Sequence, residues 1–174
     1  SMASPASSGA SFPASDGQSR ITLLAVDDDP ISSSDNAFIG VEAATHQAMI
    51  QWAQVAEKNS AHPRLKFFAQ QMFQENTEGL ARLRQSNVWR SAVPTPVGLS
   101  AAHQAALTAL STTGNPMDKA YTELMTAELP VFIAQLQRWG AGSSARALAA
   151  HWSDLATRLT TYIDILRETS ARVH

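Results

Sequence analysis

Cysteine is absent from this 174-residue sequence. Its absence excludes disulfide staples, thiolate nucleophiles and Cys-based zinc or iron–sulfur centres. Long apolar runs are missing too: none approaches the ~20 residues that a membrane-spanning helix needs. Charge is sparse, at 16% of residues, and the formal net charge is -2. That balance offers no electrostatic footprint for nucleic acid. The densest basic group, Arg82, Arg84 and Arg90, reads as a solvated helix end. There is no nucleophile elbow, phosphate loop or dinucleotide fingerprint. Gly140-Ala141-Gly142 supplies a Gly-x-Gly, but in a turn between helices.

What remains is an apolar fraction of 44%, enough for one sizeable core in one domain. Residues 3–18 are Ser, Ala, Gly and Pro with little else, a composition that cannot bury enough surface to offset its ordering entropy. Ser1-Met2 reads as a cloning remnant and is set aside. The segment is expected to be a mature exported N-terminus from which a signal has been removed, the alternative being the plain disordered tail of a cytosolic protein. An apolar patch at 21–26 follows, then Asp27, Asp28 and Asp29. These acids lack the spacing and closing Glu of a calcium loop and read as a solvated turn. Residues 1–33 are therefore expected to form a flexible, disordered arm, and 34–174 the folded domain.

From Ser34 onward the apolar period is helical. The first helix is expected over 35–58, capped by Ser34 or Asp35, with Phe38, Val41, Thr45, Ala48, Trp52 and Val55 facing inward. The second starts at Pro63, suited to a first turn because its missing N–H has no helical partner. It carries Leu65, Phe68, Met72, Asn76, Gly79 and Leu83 on one stripe. A short helix capped by Ser100 follows. Asn115-Pro116-Met117-Asp118 opens a third long helix with Tyr121, Met125, Leu129, Phe132 and Leu136 inward. The last, capped by Ser143 or Ser144, carries Leu148, Trp152, Leu155, Leu159, Tyr162 and Leu166. Four helices of matched length, with a long connection over 87–115, predict an all-α, ferritin-like four-helix bundle with a short extra helix in the crossover.

A di-metal site in such a bundle needs facing carboxylates and two Glu-x-x-His pairs, and no Glu here has His three residues later. The weak candidates are Glu42 with His46, four apart; Glu75; and His151, three before Asp154. On the stripe above His46 lies off the inward face, so Glu42 and His46 read as a surface pair. His151 reads as a hydrogen-bonded histidine at the core or its rim. Asp118 reads as a capping acid, and Asn76 as a single buried amide satisfied by a neighbour or a water. No catalytic or cofactor-binding residues and no metal site are expected.

Ala37-Phe38 opening the first helix, Phe68-Ala69-Gln70-Gln71-Met72 in the second and Asp118-Lys119-Ala120-Tyr121 opening the third resemble an exported bacterial ferritin-like family, domain of unknown function 4142. Its members are labelled outer-membrane or periplasmic proteins. This chain has Glu75-Asn76 where the family shows Asp-His, Leu129 where the third helix offers His, and Met49 at a first-helix Glu position. The resemblance implies a periplasmic or outer-membrane location and the loss of any metal site that those groups make. The function expected is that of a non-enzymatic envelope protein acting through a protein partner, with no nucleic acid and no transmembrane segment. The alternatives are a degenerate ferritin-like metal-binding protein or an apolar-ligand carrier using space beside Gly79.

Overall fold

The computed structural model describes residues 30–85 and 98–173. The expected disordered arm lies almost wholly outside them, as does most of the first half of the crossover. Five helices account for nearly all of the described residues, and there is no strand among these. Helix α1 is Ser33–Asn59, α2 Pro63–Arg84, α3 Ala101–Ala109, α4 Asn115–Gly142 and α5 Arg146–Val173.

The ends follow local chemistry. Ser32, two residues ahead of the earliest expected cap, accepts from the Asp35 amide at 3.0 Å, satisfying one of the amides a helix start leaves without a partner. Ser100 does the same for α3 through the His103 amide at 3.1 Å. Before α4 the cap is Gly114, at φ 71 and ψ -146, a conformation that side chains disfavour. Asn115 is therefore the first residue of the helix.

The turns 60–62 and 143–145 are too short for anything but hairpins, and the closest helix packing is α1 on α2 and α4 on α5. The two hairpins meet through α1 with α4 and α2 with α5. Their ends are tied: the Gly114 amide donates to the Asn59 carbonyl at 3.3 Å, and Ser143 Oγ donates to Asp35 Oδ2 at 2.8 Å. The short α3 lies against α1, where Trp52 Nε1–H donates to the His103 carbonyl at 3.2 Å.

The expected stripes on α2 and α4 are buried throughout, and on α5 all but the half-buried Tyr162. Helix α1 differs. Val41 is 41% exposed, and Thr45 and Val55 are only half-buried. The residues turned inward are Asp35, Phe38, Ile39, Glu42, Ala43, His46, Ala48, Met49, Trp52, Ala53 and Ala56, so that Phe38, Ala48 and Trp52 of the expected stripe are buried. The helix is rotated by about one residue, roughly 100°, from the apolar stripe read in the sequence, and that rotation takes two ionisable groups into the core.

Glycine marks a close approach between α4 and α5. A Cβ on Gly140 would meet Ser153 Oγ at 2.5 Å and the Ser153 backbone nitrogen at 3.0 Å, so Gly140→Ala should lower stability because backbone cannot yield as a side chain can. Gly40, mid-helix in α1, has nothing within 4 Å of such an atom. Gly40→Ala should therefore raise stability in urea unfolding by about 0.5–1 kcal/mol, the helix propensity difference.

Candidate functional site

The inward turn of α1 places Glu42 and His46, both 0% exposed, one above the other at a separation of four residues. His46 Nε2 lies 2.9 Å from Glu42 Oε2. From α5, His151 Nε2 lies 2.7 Å from the same oxygen. The neighbouring Trp152 donates Nε1–H to Glu42 Oε1 at 2.9 Å. Both carboxylate oxygens are thus engaged from inside the protein, by three donors on two helices.

Asn76, on α2, sets the hydrogens. Its Nδ2 donates to the Met72 carbonyl at 2.9 Å, and its Oδ1 lies 2.8 Å from His46 Nδ1. Reversing the amide would put two oxygens face to face, so Oδ1 is the acceptor and His46 Nδ1 the donor. His46 Nε2 faces an acceptor as well. The ring is held between an amide oxygen at Nδ1 and a carboxylate oxygen at Nε2. The Phe132 ring packs nearly perpendicular to it, at 5.5 Å between centroids. Gly79 gives it room: a Cβ there would lie 2.7 Å from His46 Cε1.

Burial by itself would push the Glu42 carboxyl up. The charge attraction and hydrogen bond of His151, joined by those of His46, outweigh burial and hold it well below the usual carboxylate range. Glu42 is therefore ionised in the folded protein, where an unpaired charge would be costly.

Of the four residues singled out in the sequence, three come together here: Glu42, His46 and His151. The surface reading of Glu42 and His46 is corrected, since partners on α2 and α5 supply what solvent would otherwise supply. Glu75 belongs to a separate network between α2 and α5. It accepts from Arg158 Nε at 3.3 Å and from the Tyr162 hydroxyl at 2.9 Å. Arg82, also buried, is pushed down by its burial and by the charge of Arg158, against the pull of Asp154, Glu78 and Glu42. In the sequence Trp152 reads as core alone. The clue to its second role is its place beside a His that had no assigned partner.

Asp118 lies in the first turn of α4, but both its carboxylate oxygens are buried without a hydrogen-bond partner among the described residues. It thus bonds no amide as a capping side chain would. Tyr121, one turn on, also has a buried hydroxyl without a hydrogen-bond partner among the described residues, and burial pushes that phenol well above its ordinary value.

The residue types Glu, His and His are those that bind zinc or iron, so the fit to a metal matters. Glu42 Oε2 itself stands where both Nε2 atoms point, and an indole N–H, which is no ligand, holds the other oxygen. Among the described residues no three His, Asp or Glu side chains are arranged to hold an ion. The positions that the family resemblance singled out fit no better. Met49 and Leu129 are apolar and buried, Asn76 is bound to His46, and Glu75 to Arg158 and Tyr162. No metal step is derived for this chain.

An all-helical chain of two packed hairpins, braced by an ionic cluster at the seam between them, is the class of protein these observations define. The chain belongs to a family described as a domain of unknown function (DUF4142), whose sequence model matches residues 23–167. That match begins ahead of α1, within the segment set aside as an arm. No curated protein and no solved structure matches the chain.

Proposed function

We propose that this protein is a non-enzymatic, exported component of the bacterial envelope: a ferritin-like four-helix bundle that works by contact with a protein partner in the periplasm or at the outer membrane. The observation that carries this reading is the closure of the Glu42 cluster. It gathers the residue types that catalysis uses, yet both Glu42 oxygens and both His46 nitrogens are engaged within the core, so the cluster acts as a brace between helices. The carrier alternative has less support, because the space beside Gly79 is filled by the His46 ring. What is open to a partner is the surface. Among the described residues the exposed large hydrophobic side chains are Val41, Phe67, Val131 and Ile165. Val41 and Val131 line one groove beside α3, and Phe67 and Ile165 another between α2 and α5. No helix among the described residues is long and apolar enough to cross a membrane.

The test is photocrosslinking in the native host with a photoreactive residue at Val131, and at the exposed Glu123 as control. Adducts with another envelope protein are expected at Val131 and not at Glu123, and they should persist in a folded Glu42→Gln protein. Recovery of the protein in the cytosol without adducts, or loss of function in folded Glu42→Gln with the surface intact, would overturn the reading.

A further inference from the structure

The groove between α2 and α5 is distinct from the buried cluster and from the groove beside α3. Phe67 is 57% exposed and Ile165 42%, a large apolar pair to leave in water on a small domain. They flank a hollow of about 350 Å³ that reaches down to Thr169, a residue buried from solvent. The edges of the hollow carry opposite charges on opposite helices. Arg64 of α2 faces Glu168 of α5 at 3.6 Å, and the two side chains are 55% and 63% exposed.

The rim of the hollow thus has one cation and one anion, Arg64 and Glu168, on opposite sides of an apolar centre. A partner of one strong sign would meet repulsion at half of it. A second copy would not: a two-fold rotation sets Arg64 of each copy against Glu168 of the other and brings each Phe67 towards the other copy's hollow. A surface that complements itself in this way is what a symmetric dimer requires. The net charge of -2 adds little long-range repulsion between copies. The exposed Arg64–Glu168 pair contributes little within one chain, so its rearrangement across an interface sacrifices little.

We propose that Phe67 and Ile165 form the centre of a two-fold interface between two copies of this chain, rimmed by reciprocal Arg64–Glu168 pairs. This goes beyond the envelope-partner reading and does not depend on it. The interface is weak and reversible, because a stable one buries on the order of 800 Å² per copy and the apolar centre comes from two side chains.

The test is sedimentation equilibrium of the full chain over a wide range of concentration, with circular dichroism to show that each variant is folded. The wild type should associate to dimers, and Phe67→Glu should weaken association by roughly tenfold or more, as loss of an aromatic anchor does. Arg64→Glu and Glu168→Arg provide the second, sharper measurement. Each alone places like charges at both rim contacts and should weaken association. An equimolar mixture of the two pairs an all-acidic rim with an all-basic one, restoring both contacts, and should associate as a heterodimer at least as well as the wild type. A wild type that stays monomeric throughout, or a mixture that associates no better than its components, would overturn the proposal. Neither result would touch adducts formed at Val131.

Discussion

Glu42→Ala is expected to lose about 3–5 kcal/mol of stability in urea unfolding, the cost of removing one member of a buried ionic cluster. The substitution strips the acceptor from His46 Nε2, His151 Nε2 and Trp152 Nε1 at once, where none of the three residues is more than 6% exposed. A domain of this size has only about 5–15 kcal/mol in total, so partial unfolding at room temperature is within reach. Replacing Glu42, His46, Asn76 and His151 together by apolar residues should cost less than the single change, because little is left unpaired. A loss below about 0.5 kcal/mol for Glu42→Ala, the range of surface sites, would mean that the carboxylate does not brace the core.

The same residue sets an acid limb. The Glu42 carboxyl is held below its ordinary value, near 4.5, so the unfolded chain takes up a proton there before the folded one does. Its contribution is fully present above about pH 4.5 and is lost as pH falls through the lower folded value. Isosteric Glu42→Gln should abolish that part of the pH dependence. The stability gap between wild type and variant should narrow as pH falls below about 4.5. A gap that widens on acidification would reverse the sign and contradict an ionised Glu42.

How much of this was legible in the sequence differs from helix to helix. On α2, α4 and α5 the apolar residues recur at helical spacing and nothing competes with them, so the periodicity found the buried faces. On α1 two registers compete. One passes through Val41, Thr45 and Val55, the other through Glu42, His46 and Met49, and both include Phe38 and Trp52. Apolarity favours the first. The second is chosen because His151, Trp152 and Asn76 neutralise and hydrogen-bond the pair, and those partners lie 30 to 110 residues away. Period alone cannot see such a term. Still, a trace of it existed: Asn76 and His151 stood on inward stripes as polar groups in want of partners, and Gly79 sat one turn from Asn76. The all-helical class and the family were readable because they rest on local pattern and motif. The cluster was not, because it rests on the meeting of three helices.

That glycine gives the cleanest way to test the meeting itself. In a helix interior Gly→Ala ordinarily stabilises by up to about 1 kcal/mol, as expected at Gly40. At Gly79 the added methyl would fall 2.7 Å from His46 Cε1 and 2.8 Å from Nε2. The ring cannot swing aside freely, because Asn76 holds one nitrogen and Glu42 the other. Overpacking then outweighs propensity, and Gly79→Ala should cost roughly 1–3 kcal/mol. If the ring is what the methyl meets, the penalty must vanish when the ring is removed. In a His46→Ala background, itself destabilised by the partners left behind, Gly79→Ala should become neutral or stabilising, with a coupling of about 1–3 kcal/mol between the two positions. Equal effects of Gly79→Ala in the two backgrounds would place the His46 ring elsewhere and dissolve the cluster. A stabilising effect in the wild-type background, matching Gly40→Ala, would do the same.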